Sequence, residues 1–230
     1  MKTSNRLLGV LLALTLFAIL GSNLVLKAEY DQIDFKDPFY GYSRESATPF
    51  KVVRLQGGYS FLVQVQPGKD FEVRLSEREK SFVKWQVRGD TLELTFSLED
   101  NPFYYRAADA FNHRPVAYIS APELKAVHSY GSTCKLTGWQ HARWILTQQG
   151  FKSGMLLKDN LIDTLSAVVQ QGGLLQVDSD NRIGKTRVQV IDSSSFVVRK
   201  DVFKEVQIQA DSTASVNLPG TLFLKLTQPQ

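Results

Sequence analysis

From about Leu124 to Leu218 the apolar positions recur in a degenerate repeat of roughly 20 residues. Val169 is followed six positions on by Leu175, and then by Val177. Val190 is followed at the same interval by Phe196 and Val198, and Ile208 by Ala214 and Val216. Small polar residues separate the apolar pairs: Gln171-Gly172-Gly173, Asp192-Ser193-Ser194 and Asp211-Ser212-Thr213. Two looser units precede them, around Trp144-Ile145-Leu146 with Met155 and Leu157, and around Leu124-Lys125-Ala126 with Cys134 and Leu136. A unit this short holds two strands and cannot bury its own apolar face. It needs a copy above and below, which is the logic of a stacked β-solenoid with ladders of like residues, Val169, Val190 and Ile208 in register among them.

Upstream, residues 50–96 alternate apolar and polar at period two between Gly and Pro turns, the signature of strands. Val52-Val53-Arg54-Leu55 runs into Gln56-Gly57-Gly58, and a second strand stops at Gln66-Pro67-Gly68. Trp85-Gln86-Val87, the turn Arg88-Gly89-Asp90 and Leu92-Glu93-Leu94 form a tight hairpin. Glu77 to Phe82 is the one helical turn the pattern allows. Residues 98–114 interrupt the pattern with Asn101-Pro102 and a run of rings, and a strand resumes at Val116. The polar Gln228-Pro229-Gln230 ends the chain and cannot extend a ladder.

The N-terminus reads as an export element. Lys2 and Arg6 precede an apolar run at 7–20, Gly21-Ser22-Asn23 interrupts, and Leu24-Val25-Leu26 resumes. The first run has signal-peptide length, and 7–26 together are long enough to cross roughly 30 Å of hydrocarbon. Both candidate cleavage sites place Leu at −3, which favours an uncleaved anchor over a cleaved signal that would leave a soluble periplasmic protein. In either case the positive residues stay inside and the chain beyond Lys27 is exported. Residues 29–48, with Asp31, Asp34, Asp37-Pro38 and a cluster of rings, read as a linker.

Apolar content of 43% and charge of 22% are those of a globular protein. The net charge of +4 is modest, and the cations alternate with acids along the chain, so no nucleic-acid partner is expected. Cys134 is the only cysteine and falls on an apolar slot, so it reads as core filler, and no intramolecular disulfide can form. Asp192 and Asp211 occupy equivalent turns and could stack, and Asp178-Ser179-Asp180-Asn181 has oxygen-rich chemistry. Neither carries a bidentate Glu or a calcium-binding repeat, so turn hydrogen bonding is the reading. His113, His128 and His141 share no ligand spacing. Ser193-Ser194-Ser195 lacks a nucleophile elbow. No catalytic residue, cofactor or metal is expected. The segment above background is the insertion with Phe103, Tyr104, Tyr105, Arg106 and Phe111. Rings beside a cation suit a sugar or a protein partner. The same rings could instead cap the open end of a stack.

The order VVRLQGGYSFLVQVQPG, VRGDTLELTF and AYISAPELKAV, then repeats ending in Gly/Ser turns, resembles a known family. It is similar to the auto-transporter adhesin head, or GIN, domain of exported proteins from Bacteroidetes-type bacteria. The likeness covers about 50–226 and is best at 116–136. It implies a β-solenoid-like head displayed in the cell envelope, and the family offers no catalytic residue to transfer. The expectation is therefore an all-β chain after one hydrophobic helix: an antiparallel meander continuing into a right-handed β-solenoid, or β-helix, of about five short coils. The expected segments are 1–28 for signal or anchor, 29–48 for linker and 49–227 for the head. Within the head, 49–100 is meander, 101–114 insertion and 115–227 repeat coils. The expected role is an exported, envelope-associated, non-enzymatic binding head for a glycan or an envelope protein. A carbohydrate-active β-helix enzyme and a self-assembling structural protein stand as alternatives.

Overall fold

The structure is a computed structural model that describes residues 2–31, 33–34, 36–58, 61–97 and 107–227. Contacts divide the chain into two units, Met1–Gly41 and Tyr42–Gln230. In the first unit α1 (Lys2–Tyr30) is one helix of 29 residues. Gly21-Ser22-Asn23, which breaks the apolar run in the sequence, does not break the helix, since a Gly costs only about 1 kcal/mol against strong helix formers on both sides. At about 1.5 Å per residue the helix is longer than a hydrocarbon core is thick. By length and composition Asn5–Tyr30 can cross a membrane, with mean hydropathy 2.2, and a signal sequence passes the same test. Beyond α1 the acidic residues make turns: Asp34 Oδ1 accepts the Lys36 N–H at 2.9 Å, and Asp37 Oδ1 the Phe39 N–H at 2.8 Å.

In the second unit the described strands form two sheets of nine and eight strands. The nine-stranded sheet runs in space β1 (Tyr42–Ser46), β4 (Glu72–Ser76), β7 (Ala117–Ala121), β3 (Leu62–Pro67), β9 (Thr133–Thr137), β11 (Gly154–Lys158), β13 (Leu174–Val177), β15 (Ser195–Val198) and β17 (Ser215–Asn217). The eight-stranded sheet runs β16 (Phe203–Ala210), β14 (Arg182–Val190), β12 (Leu161–Gln170), β10 (Ala142–Gln149), β8 (Ala126–Tyr130), β2 (Val52–Gln56), β6 (Thr91–Phe96) and β5 (Val83–Arg88). From β8 onward, successive strands pass alternately to the two sheets, and from β10 each pairs parallel with the strand one repeat earlier. Antiparallel pairing is confined to β1 with β4, β4 with β7, and the β5–β6 hairpin.

Buried residues of both sheets form one core. One column in the nine-stranded sheet is Cys134, Met155, Leu175, Phe196 and Val216. Opposite it stand Val53, Val127, Leu146, Ala167, Val188 and Ile208. Val169 and Val190 are register partners as the repeat predicts, but Ile208 pairs with Val188, and Ala210 takes the place beside Val190. The corners are stitched by asparagines. Asn181 Oδ1 accepts the Asn160 backbone N–H at 3.1 Å and its Nδ2 at 3.0 Å, while Asn160 Nδ2 also donates to the Leu136 carbonyl at 3.0 Å. Where turns stack closely only glycine fits: a Cβ on Gly150, whose φ is +114°, would lie 2.9 Å from the backbone of Gly131. At Gly184 a Cβ would approach the Asp163 carbonyl oxygen to 2.3 Å, so glycine is required where β14 passes β12 there.

The expected all-β meander followed by a β-solenoid of about five coils is overturned. The molecule is a mixed α/β arrangement of two large, mostly parallel sheets with helical segments. The 49–100 region is not an antiparallel meander, because β2 lies parallel between β6 and β8, and β3 parallel between β7 and β9. Period-two alternation reports which face of a strand is buried, not the direction of its partner, so the pattern could not distinguish the two. Part of the expected linker is strand β1. The last apolar run, expected as coil, is helix α3 (Gly220–Thr227). Pro219 leads into it, its carbonyl accepting the Leu222 and Phe223 N–H groups, and Leu222 is fully buried. Lys225 ties α3 to the start of β16 by donating to the Phe203 carbonyl at 2.6 Å. The insertion at 101–114 contributes one described helical turn, α2 (Ala107–Ala110).

A candidate binding groove on the eight-stranded sheet

Of the acids singled out in the sequence, Asp211 and Asp180 accept hydrogen bonds from backbone. Asp211 Oδ2 accepts the Asp192 N–H at 2.8 Å, and Asp211 Oδ1 accepts from Thr213 N, Thr213 Oγ1 and Ala214 N. Those hydrogen bonds, that from Asp192 first, hold the Asp211 carboxyl below its ordinary value. Asp180 Oδ1 accepts the Asp159 N–H at 2.9 Å, and Asp178 pairs with Gln176. Ser194 is buried and accepts the Gly172 N–H. His141 lies 3.4 Å from Asp163 in an exposed turn, while His128 contacts Thr147 at 3.1 Å. Burial, with Arg54 adding to it, pushes the His128 pKa down. Among the described residues no group of three His, Cys, Asp or Glu could hold a metal ion.

Phe103, Tyr104, Tyr105 and Arg106 lie outside the described residues. Phe111 is buried in a small cluster with Leu62 and Leu156, where it packs rather than presents a ring to solvent.

Cys134 sits fully buried in its column, and burial pushes its thiol from 9.0 up to about 12. Tyr42, whose hydroxyl donates to the Pro115 carbonyl at 2.5 Å, is raised from 10.0 to about 12, chiefly by burial, with Tyr118 adding and Arg114 opposing. Both folded values exceed the unfolded ones. Their contribution is therefore full below pH 9 and is lost as pH rises toward 12. Urea denaturation across that window is expected to show stability falling by up to about 4 kcal/mol from Cys134 alone. A Cys134→Ala variant should lack that part of the slope.

What the linear sequence does not reveal lies on the outer face of β10, β12, β14 and β16. Trp144, Leu165 and Thr186 point inward and are buried, so their neighbours alternate outward. Arg143, Thr164, Lys185 and Glu205 form one outward column, and Ile145, Ser166, Arg187 and Gln207 the next. They line an open groove of about 940 Å³, closed at one end by Lys225 and Leu226 of α3. Six cations border it, Lys125, Arg143, Lys185, Arg187, Lys204 and Lys225, against the single acid Glu205. The whole chain carries only +4, so charge that is dispersed along the sequence is concentrated in space. Arg143, Lys185, Arg187 and Lys204 enter no ion pair among the described residues, and Lys225 is held by Asp201. A second groove, of about 910 Å³, lies beside the corners. It has Asp163, Asp180 and Asp201 facing Arg182, Lys185 and Lys200, and so carries no net preference of sign.

The chain is similar in structure to a candidate adhesin of Parabacteroides distasonis, at 15% identity and a TM-score of 0.54, covering 76% of this chain and 71% of that one. The two share a fold. At that identity the likeness extends to nothing finer. Weaker structural similarity links the chain to a candidate adhesin of Bacteroides fragilis, at 10% identity, TM-score 0.37, and 76% and 95% coverage. A candidate lipid-binding protein of Parabacteroides distasonis has 10% identity, TM-score 0.35, and 77% and 96% coverage. No family model matches the chain, so the GIN name expected from the sequence is not established, and no curated protein matches it.

Proposed function

We propose that this chain is an exported, envelope-associated binding module without catalytic activity, held by α1, with the two-sheet unit as its ligand-binding part. The observation that carries the reading is the solvent-facing groove across β10 to β16, where Arg143, Lys185, Arg187 and Lys204 outnumber the single acid Glu205 and enter no ion pair among the described residues. The N-terminal apolar helix supports export, and the shared fold with a candidate adhesin is consistent with a binding role. The commitment of Asp211, Asp180 and Asp178 to hydrogen bonds within turns weighs against an acid–base pair on the repeat corners.

A panel of polysaccharides scored for both binding and turnover tests the role. Binding without turnover is expected. Turnover abolished by Asp192→Ala or Asp211→Ala in a folded protein would favour an enzyme. The attachment has its own test, because an anchor leaves α1 in place. Intact mass of the native protein is expected to include residues 1–28, and a mature N-terminus near Asn23 or Glu29 would replace the anchor with a cleaved signal.

A further inference from the structure

We infer that the groove takes an acidic polysaccharide, one chain seated over Thr164 and Ser166 of β12; the inference rests on the binding-module reading above. Side-chain length shapes the groove. Within the groove the outer face of β12 offers Thr164 and Ser166, which are short and exposed. Its neighbours offer long side chains, Arg143 and Ile145 on β10, and Lys185 and Arg187 on β14. Strands lie about 4.8 Å apart, so the walls stand roughly 10 Å from one another across a lower floor. The result is a trough centred on Thr164 and Ser166 of β12, with hydroxyls at the bottom and cations on both sides.

Each feature selects against an occupant. Cations on both walls, free of ion pairs among the described residues, favour a ligand with repeated negative charge. Arg143 can hold a carboxylate or sulfate through two parallel N–H donors, while Arg187, whose Nε and Nη2 donate to Gln207 Oε1 at 3.4 and 3.3 Å, adds positive charge to the other wall. The hydroxyl floor suits a ligand that presents hydroxyls between its charges, as a saccharide does. A lipid tail would leave Thr164 and Ser166 without partners on the contact face. Single-stranded nucleic acid asks for exposed rings on which bases stack, and the aromatic residue of this groove, Trp144, is 2% exposed. Ile145, 59% exposed beside the trough, gives a saccharide ring an apolar flank.

The test uses the full chain in a nonionic detergent, titrated with polygalacturonate. Neutral dextran, phosphatidylglycerol–phosphatidylcholine vesicles and a DNA duplex serve as comparison probes. Polygalacturonate is expected to bind, with affinity falling about tenfold or more in Arg143→Glu/Lys185→Glu and again at high salt. Ser166→Phe fills the floor without changing charge, and is expected to cost a similar factor while its thermal melt matches the parent. An unchanged affinity in Ser166→Phe would overturn the trough, leaving only diffuse electrostatics. Tighter binding of vesicles or DNA than of polygalacturonate would overturn the polysaccharide. Equal binding of dextran, indifferent to the charge variants, would remove the acidic ligand and keep the binding module. Failure of every probe to bind would remove both.

Discussion

Replacing Phe196 by alanine is expected to lower stability by about 3–5 kcal/mol. The ring is fully buried, and its register partners are Leu175 on one side and Val216 on the other. Truncation removes the apolar area and leaves a hole that the neighbouring rungs cannot close, because each parallel strand is held at its hydrogen-bonding distance from the next. For a unit of this size each kcal/mol is worth about 2–4 °C, so the melt should drop by roughly 6–20 °C. Phe151→Ala is the matched control. That ring is 74% exposed, and its loss should stay within about 0.5 kcal/mol. A Phe196→Ala melt close to the parent would mean that the two sheets do not meet across this column.

The second large effect belongs to the asparagine corner. Asn160 is 3% exposed, and its Oδ1 accepts the Trp139 N–H at 3.1 Å. Its Nδ2 donates to the Leu136 carbonyl and to Asn181 Oδ1. Asn160→Leu keeps the volume and strips these partners, leaving buried backbone groups of two rungs unpaired at about 1–3 kcal/mol each. A loss of about 2–5 kcal/mol is expected in denaturant titration. Gln149 makes an analogous contact, with its Nε2 2.7 Å from Gln171 Oε1, but in solvent. There water replaces the lost partner, and Gln149→Leu should change little. If the two substitutions cost the same, the corner is not sealed from water and the stitching argument fails.

These two sites also show what the sequence could and could not carry. The apolar interval that places Phe196 beside Leu175 was legible, because burial repeats wherever strands one repeat apart pair in parallel. Ile208 was assigned two residues out of register. A shift of two residues keeps every side chain on its own face, so the letters fit both alignments equally. Nothing in the alternation of Val52 to Leu55 told whether that strand meets parallel or antiparallel neighbours. Turn chemistry at Asp211 is legible in the sequence, since short oxygen-bearing side chains serve their own turn first. The groove was missed for a different reason. Arg143, Thr164 and Lys185 are one repeat apart in sequence and neighbours only across strands, so a scan for clustered charge along the chain passes over them. Writing the repeats above one another and reading down the polar columns would have found them.

The central claim is that the outer face of β10, β12 and β14 is the binding surface. Hydrogen–deuterium exchange of the full chain, with and without polygalacturonate, tests it most directly. Lowered exchange is expected in residues 142–149, 161–170 and 182–190, with β1 and β4 of the other sheet unaffected. Protection confined to the nine-stranded sheet or to the residues around Phe111, with none on these three strands, would contradict it.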